Sequence, residues 1–131
     1  MGLTDKERKE VVRYRMEKAR NTFSEIALLT NNELWHNAAN RLYYACYYAV
    51  TALLIKNGVE TKTHQGVINQ FGLLFVKKDI FSQKEGKFFK SLFELRQDGD
   101  YDDWIEITED DVMPLIEPVR NFIEKIEQTI N

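Results

Sequence analysis

Two arginines, two histidines and a short acidic run are the side chains in this sequence best equipped for chemistry. Arg41 lies in an aromatic-rich segment, with Asn37 four residues before it and Tyr44 three after it, so in a helix the three share one side. Arg96 closes an apolar stretch. Asp100 follows four residues later, within ion-pairing reach if the helical turn persists, and Tyr101 comes next. His64 opens a further segment just after Thr63. An isolated guanidinium is costly to desolvate, so either arginine is expected to pair with an acidic residue of the stretch after Arg96 and pin it to the fold. Histidine is the side chain that titrates near neutrality, yet His64 reads equally as a polar first-turn residue and His36 as a surface residue. Tyr43, Tyr44, Tyr47 and Tyr48 could stack on nucleobases, but their spacing on one helix fits core packing better.

Other chemistries have no support in the spacing. One cysteine and two histidines, without H-E-x-x-H or C-x-x-C, make no metal site. Asp98, Asp100, Asp102 and Asp103 match a calcium loop in charge but not in the positions of its glycine and distal glutamate. No phosphate-binding glycine loop and no local serine–histidine–carboxylate signature occurs. No cofactor is expected.

The elements that must position these residues all read as helices. Val12, Met16, Ala19, Phe23 and Ile26 place one apolar face on a helix over 4–29, ended by Thr30-Asn31-Asn32. A second helix over 33–57, stopped at Gly58, carries Leu34, Ala38, Leu42, Ala45, Ala49 and Ala52 on one stripe and tyrosines around it. It is apolar over most of its circumference and should sit at the centre. Thr63 caps a shorter helix over 64–77, and Ser82 with Glu85 forms a capping box for a fourth over 83–97, which Gly99 should end. Residues 98–107 then read as a polar loop. The last helix starts at Thr108 or Asp111 and reaches about residue 129, and Pro118 should kink it or delay its regular part. The fold class is therefore all-α: one domain over residues 1–131, an up-and-down bundle of four long helices plus one shorter helix.

The 131 residues suffice for a single hydrophobic core without staples. A net charge of −3 gives no global attraction for nucleic acid, so RNA would need a local basic patch. No apolar run is long enough for a membrane helix, the N-terminus is polar, and the lone Cys46 reads as a small buried hydrophobe. A cytoplasmic location is the simple expectation.

Three strings, AANRLYYACYYAVTALLIKNG (38–58), KTHQGVINQFGLLFVKKD (62–79) and LFELRQDGDYDD (92–103), resemble HEPN-domain proteins, in particular their small stand-alone bacterial and archaeal branch of unassigned function. The resemblance implies a helical bundle that forms homodimers. Many members are ribonucleases, often toxins encoded beside a minimal nucleotidyltransferase partner. Nuclease members carry an arginine followed four to six residues later by histidine, two such motifs meeting at the dimer cleft. The matching arginine here is Arg96, and Tyr101 stands where that histidine would be after a four-residue spacer. A phenol with a pKa near ~10 is a poor general base at neutral pH. With the resemblance, Arg96 and Tyr101 become candidate catalytic residues, with His64 as a stand-in for the histidine, and the polar set itself offers Arg41, Asp100 and Tyr44 as candidate binding residues. Two functions follow: an RNA-binding or RNA-cleaving protein, or a non-catalytic dimeric module that docks a nucleotidyltransferase.

Overall fold

A computed structural model describes residues 2–101 and 105–131, the side chain of Tyr101 excepted. Its elements are helical, and no strand occurs among the described residues. Helix α1, Asp5–Ser24, begins with a reciprocal cap: Thr4 Oγ1 accepts from the Glu7 N–H and Glu7 Oε1 accepts from the Thr4 N–H. It ends earlier than its periodicity suggests. Ser24 Oγ donates to the Asn21 carbonyl at 2.6 Å, a bond that bends helices, and a break at Glu25 separates α1 from α2, Ile26–Asn31. The single helix expected over 4–29 is therefore two.

Helix α3, Trp35–Lys56, is the centre of the bundle. Its alanines Ala38, Ala39, Ala45, Ala49 and Ala52 are buried, and α1, α5 and α7 pack along it. It stops as expected at Gly58, whose φ of 77° only glycine adopts cheaply. Val59 N–H bonds the Leu54 carbonyl and Gly58 N–H the Ile55 carbonyl, the Schellman pattern.

Thr63 caps α4, His64–Phe71, through the Gly66 N–H. The helix then widens into a π-helical turn, Gly72–Val76, in which the Lys77 N–H reaches the Gly72 carbonyl at 2.8 Å. Ser82 and Glu85 make the expected capping box of α5. That helix runs from Gln83 to Tyr101, so Gly99 does not terminate it and residues 98–101 are helix, not loop. Gly99 instead faces a close contact: a Cβ there would collide with Ile107 Cδ1 and sit 3.1 Å from His36 Cε1. The missing side chain admits neighbours rather than freeing the backbone.

Thr108 N–H bonds Asp111 Oδ2 at the start of the short α6, Glu109–Val112. A 3-10 turn, Met113–Leu115, leads into α7, Ile116–Ile130. Pro118 is the third residue of α7, where its missing N–H would have no intrahelical partner anyway, so the proline delays the regular helix rather than kinking it. The architecture is the expected one: long legs α1 with α2, α3, α5 and α7, and a short leg α4. No described helix is long and apolar enough to cross a membrane.

Candidate functional site

The polar side chains of the first half of α3 meet the end of α5 and the start of α4. Continuation of α5 past Gly99 is what makes this possible. With Arg96 and Asp100 one helical turn apart, Arg96 Nε lies 2.9 Å from Asp100 Oδ2, the ion pair expected from their spacing. The Nε–H does not aim at that oxygen and has no hydrogen-bond partner among the described residues. The contact is therefore electrostatic. The Arg96 side chain is only 14% exposed and lies over aromatic faces, its Cζ 5.3 Å from the Tyr44 ring centre and 5.9 Å from that of Tyr43.

Arg41 reaches the same ring from α3, with its Cζ 5.4 Å from the Tyr44 centre. Its Nε and Nη2 donate to Asn40 Oδ1, and among the described residues its nearest carboxylate is Glu25, 3.8 Å away. Pairing of Arg41 with the stretch after α5 does not occur among the described residues. The break between α1 and α2 presents Glu25 there instead. Tyr44 is thus flanked by two guanidinium groups.

His64 enters from the N-terminus of α4. Its Nδ1 lies 2.7 Å from the Tyr43 hydroxyl, and its ring packs 4.7 Å from Tyr47 and 5.8 Å from Tyr44. Burial, and then the Arg96 charge, hold its imidazole below the ordinary value, so it is neutral at pH 7. Tyr43 is fully buried, and burial drives its phenol far above the usual range. The phenol keeps its proton; donating it to Nδ1 leaves the His64 proton on Nε2.

His36 belongs to the site as well. Its side chain is about half exposed, as a surface residue would be, but Nε2 lies 3.1 Å from Asp100 Oδ1. Asp100 therefore bridges His36 and Arg96. The signal was present in the sequence, since His36, Asn40 and Tyr44 recur at four-residue steps along one face. It became readable only once α5 was seen to carry Asp100 past Gly99. Arg96, Arg41, Tyr44, His64 and Asp100 are thus gathered in one region, while the Tyr101 side chain lies outside the described residues.

A cleft of about 660 Å³ opens beside this cluster, lined by His36, Asn37, Asn40 and Arg41 of α3, Asp100 of α5 and Glu25 at the bend. A second concavity of about 560 Å³ lies between α1 and the ends of α3 and α7, with Arg8, Lys9, Arg13 and Lys56 around an apolar floor of Val12 and Met16. Among the described residues no group of three or more metal-binding side chains occurs.

An all-helical bundle with a polar cluster between its central helix and the end of α5 is the arrangement the chain defines. The chain belongs to the HEPN domain family, whose model matches residues 12–129. It is 36% identical over 124 residues to a UPF0332 protein of Thermotoga maritima, covering 95% of this chain and 94% of the relative. It is 29% identical over 129 residues to a protein of Methanocaldococcus jannaschii named "Putative toxin MJ0605", covering 98% and 96%. A second protein of that organism, "Putative toxin MJ0142", is 29% identical over 113 residues, or 86% of this chain and 77% of the relative.

Proposed function

We propose that this protein is a toxin-like HEPN protein that acts on RNA as a homodimer and is held in check by a minimal nucleotidyltransferase partner. The observation that carries the reading is the Arg96 cluster. A cation in the position of the family's arginine is largely buried against Tyr43 and Tyr44, beside Arg41 and both imidazoles. Two guanidinium groups around one aromatic ring can take a phosphate and a stacked base together. The toxin names of two relatives agree with this. The basic concavity along α1 offers the local positive surface that a net charge of −3 otherwise denies.

The test is incubation of the purified protein with total RNA, with and without a chelator, followed by binding to single-stranded RNA. Arg96→Ala should weaken binding about tenfold or more, the loss of a charge-assisted contact worth ~1.5–3 kcal/mol. The same preparation should sediment at twice the chain mass. A monomeric protein that neither binds nor cleaves RNA would sink the reading.

The Arg96–Asp100 ion pair favours a second reading. If that carboxylate keeps its hold on the cation, the dimer is a non-catalytic module that docks the nucleotidyltransferase. Retained partner binding by a protein inert to RNA is the result that would select it.

A further inference from the structure

The proposed RNA-directed function leaves open which group moves the proton. Tyr101 is a poor base, and the two imidazoles of the site are oriented in opposite ways. His64 has its Nδ1 engaged by the buried Tyr43 hydroxyl, so its remaining nitrogen is a proton donor among aromatic rings. His36 turns Nε2 to the Asp100 carboxylate, which accepts only, so the proton sits on Nε2 and the lone pair on Nδ1. Gly99 lies beside that nitrogen: a Cβ at position 99 would stand 3.4 Å from Nδ1 and 3.1 Å from Cε1. The absent side chain lets α5 approach the ring closely, and the imidazole, still about half exposed, stands at the rim of the 660 Å³ cleft.

We infer that His36 and Asp100 form the proton-transfer dyad of this site, with Arg96 on the other side of the same carboxylate as the phosphate-binding cation. This rests on the RNA-directed reading above. Asp100 holds the ring and stabilises the imidazolium that forms, the role a carboxylate plays behind a catalytic histidine. It also ties the imidazole and the guanidinium to one side chain, His36 at 3.1 Å and Arg96 at 2.9 Å. A phosphodiester drawn to Arg96 is thereby brought next to His36.

In the step this implies, His36 Nδ1 takes the proton of a ribose 2′-hydroxyl. The O2′–P bond forms and the P–O5′ bond breaks. The 5′ oxygen takes a proton from water, and the imidazolium returns its own to the hydroxide left behind. The products are a 2′,3′-cyclic phosphate and a 5′-hydroxyl, and the balance needs no metal. The charged and titratable groups around His36 among the described residues are Asp100 and Arg96 from α5, Arg41 from its own helix and Glu25 across the cleft.

The experiment uses the full chain and a fluorescent single-stranded oligoribonucleotide of mixed sequence, with a chelator present and product ends identified. His36→Gln should lower cleavage about a hundredfold or more, the usual worth of a positioned base, with RNA binding and thermal unfolding little changed. His64→Gln should cost less. Asp100→Asn should lower kcat with RNA binding little changed, because the imidazole loses the group that orients it; a merely structural Asp100 would change stability and leave kcat unmoved. Undiminished cleavage by His36→Gln, or a greater loss in His64→Gln, overturns the dyad and leaves the RNA-directed reading intact. A wild type that binds RNA through Arg96 without cutting it also overturns the dyad alone. A wild type that does neither removes both.

Discussion

Two aromatic clusters meet on α3 and α5, and they are built differently. In one, Phe71, Phe81, Phe89 and Phe122 pack with ring centres 5.1 to 6.1 Å apart, all four nearly or fully buried. In the other, Tyr43, Tyr44, Tyr47 and His64 pack at 4.7 to 5.8 Å, and only Tyr43 is fully buried. The Tyr43–Phe89 stack, at 5.9 Å, joins them. The phenyl cluster asks only for volume. Each ring of the tyrosine cluster also carries a polar atom that must find a partner or water. The spacing is the same, but one cluster gives a core and the other the wall of a site.

The largest effect should come from the phenyl side. Phe89→Ala removes a fully buried ring that touches Phe71, Phe122 and Tyr43, and should cost about 3–5 kcal/mol in chemical denaturation. A loss under about 1 kcal/mol would mean that the two clusters are not one packed unit. Tyr43→Phe keeps the ring and removes only the hydroxyl that faces His64 Nδ1. It should cost about 1–2 kcal/mol, since His64 then loses its partner in a half-buried setting. An unchanged denaturation midpoint would make the tyrosine cluster a phenyl cluster in disguise.

The smallest effect is with pH. His64 binds its proton less readily in the fold than in the unfolded chain, because of burial and then Arg96. Its contribution to stability is therefore full above the unfolded value near ~6.5 and falls as pH drops from there towards the lower folded value. Below that it changes no further. The melting temperature of wild type should fall across this window relative to His64→Gln, and parallel curves for the two proteins would refute the assignment.

What the sequence disclosed followed from physics that acts locally. The caps at Thr63 and at Ser82–Glu85 need only a few adjacent residues, and both form as their spacing implies. The apolar stripe of α3 dictates a central helix wherever its neighbours lie. Helix ends were legible when glycine marked them, as at Gly58. The same Schellman geometry ends α2 at Glu33, with φ 55°, and follows the π turn at Asp79, with φ 63°, where no glycine announces it. At Gly99 the opposite error arises: the glycine answers to Ile107 and His36, residues distant in sequence, not to its own backbone. His36 was unreadable for the same reason. Its partner sits 64 residues away and reaches it only because α5 does not stop early.

The π-helical turn at Gly72–Val76 bears on how the chain could change length. A π turn is an α-helix that has accommodated one extra residue. Elsewhere in a helix, deletion of a residue rotates everything beyond it by about 100° and turns a buried face to solvent. Here Phe71 and Phe75 share the core across the widened turn, and Leu73 between them points outward, 50% exposed. Excision of Leu73 would return the turn to ordinary α-helix and leave both phenylalanines on nearly the same side. This segment can lose a residue with both phenylalanines kept in the core, so the Arg96 site beyond it would stay in register.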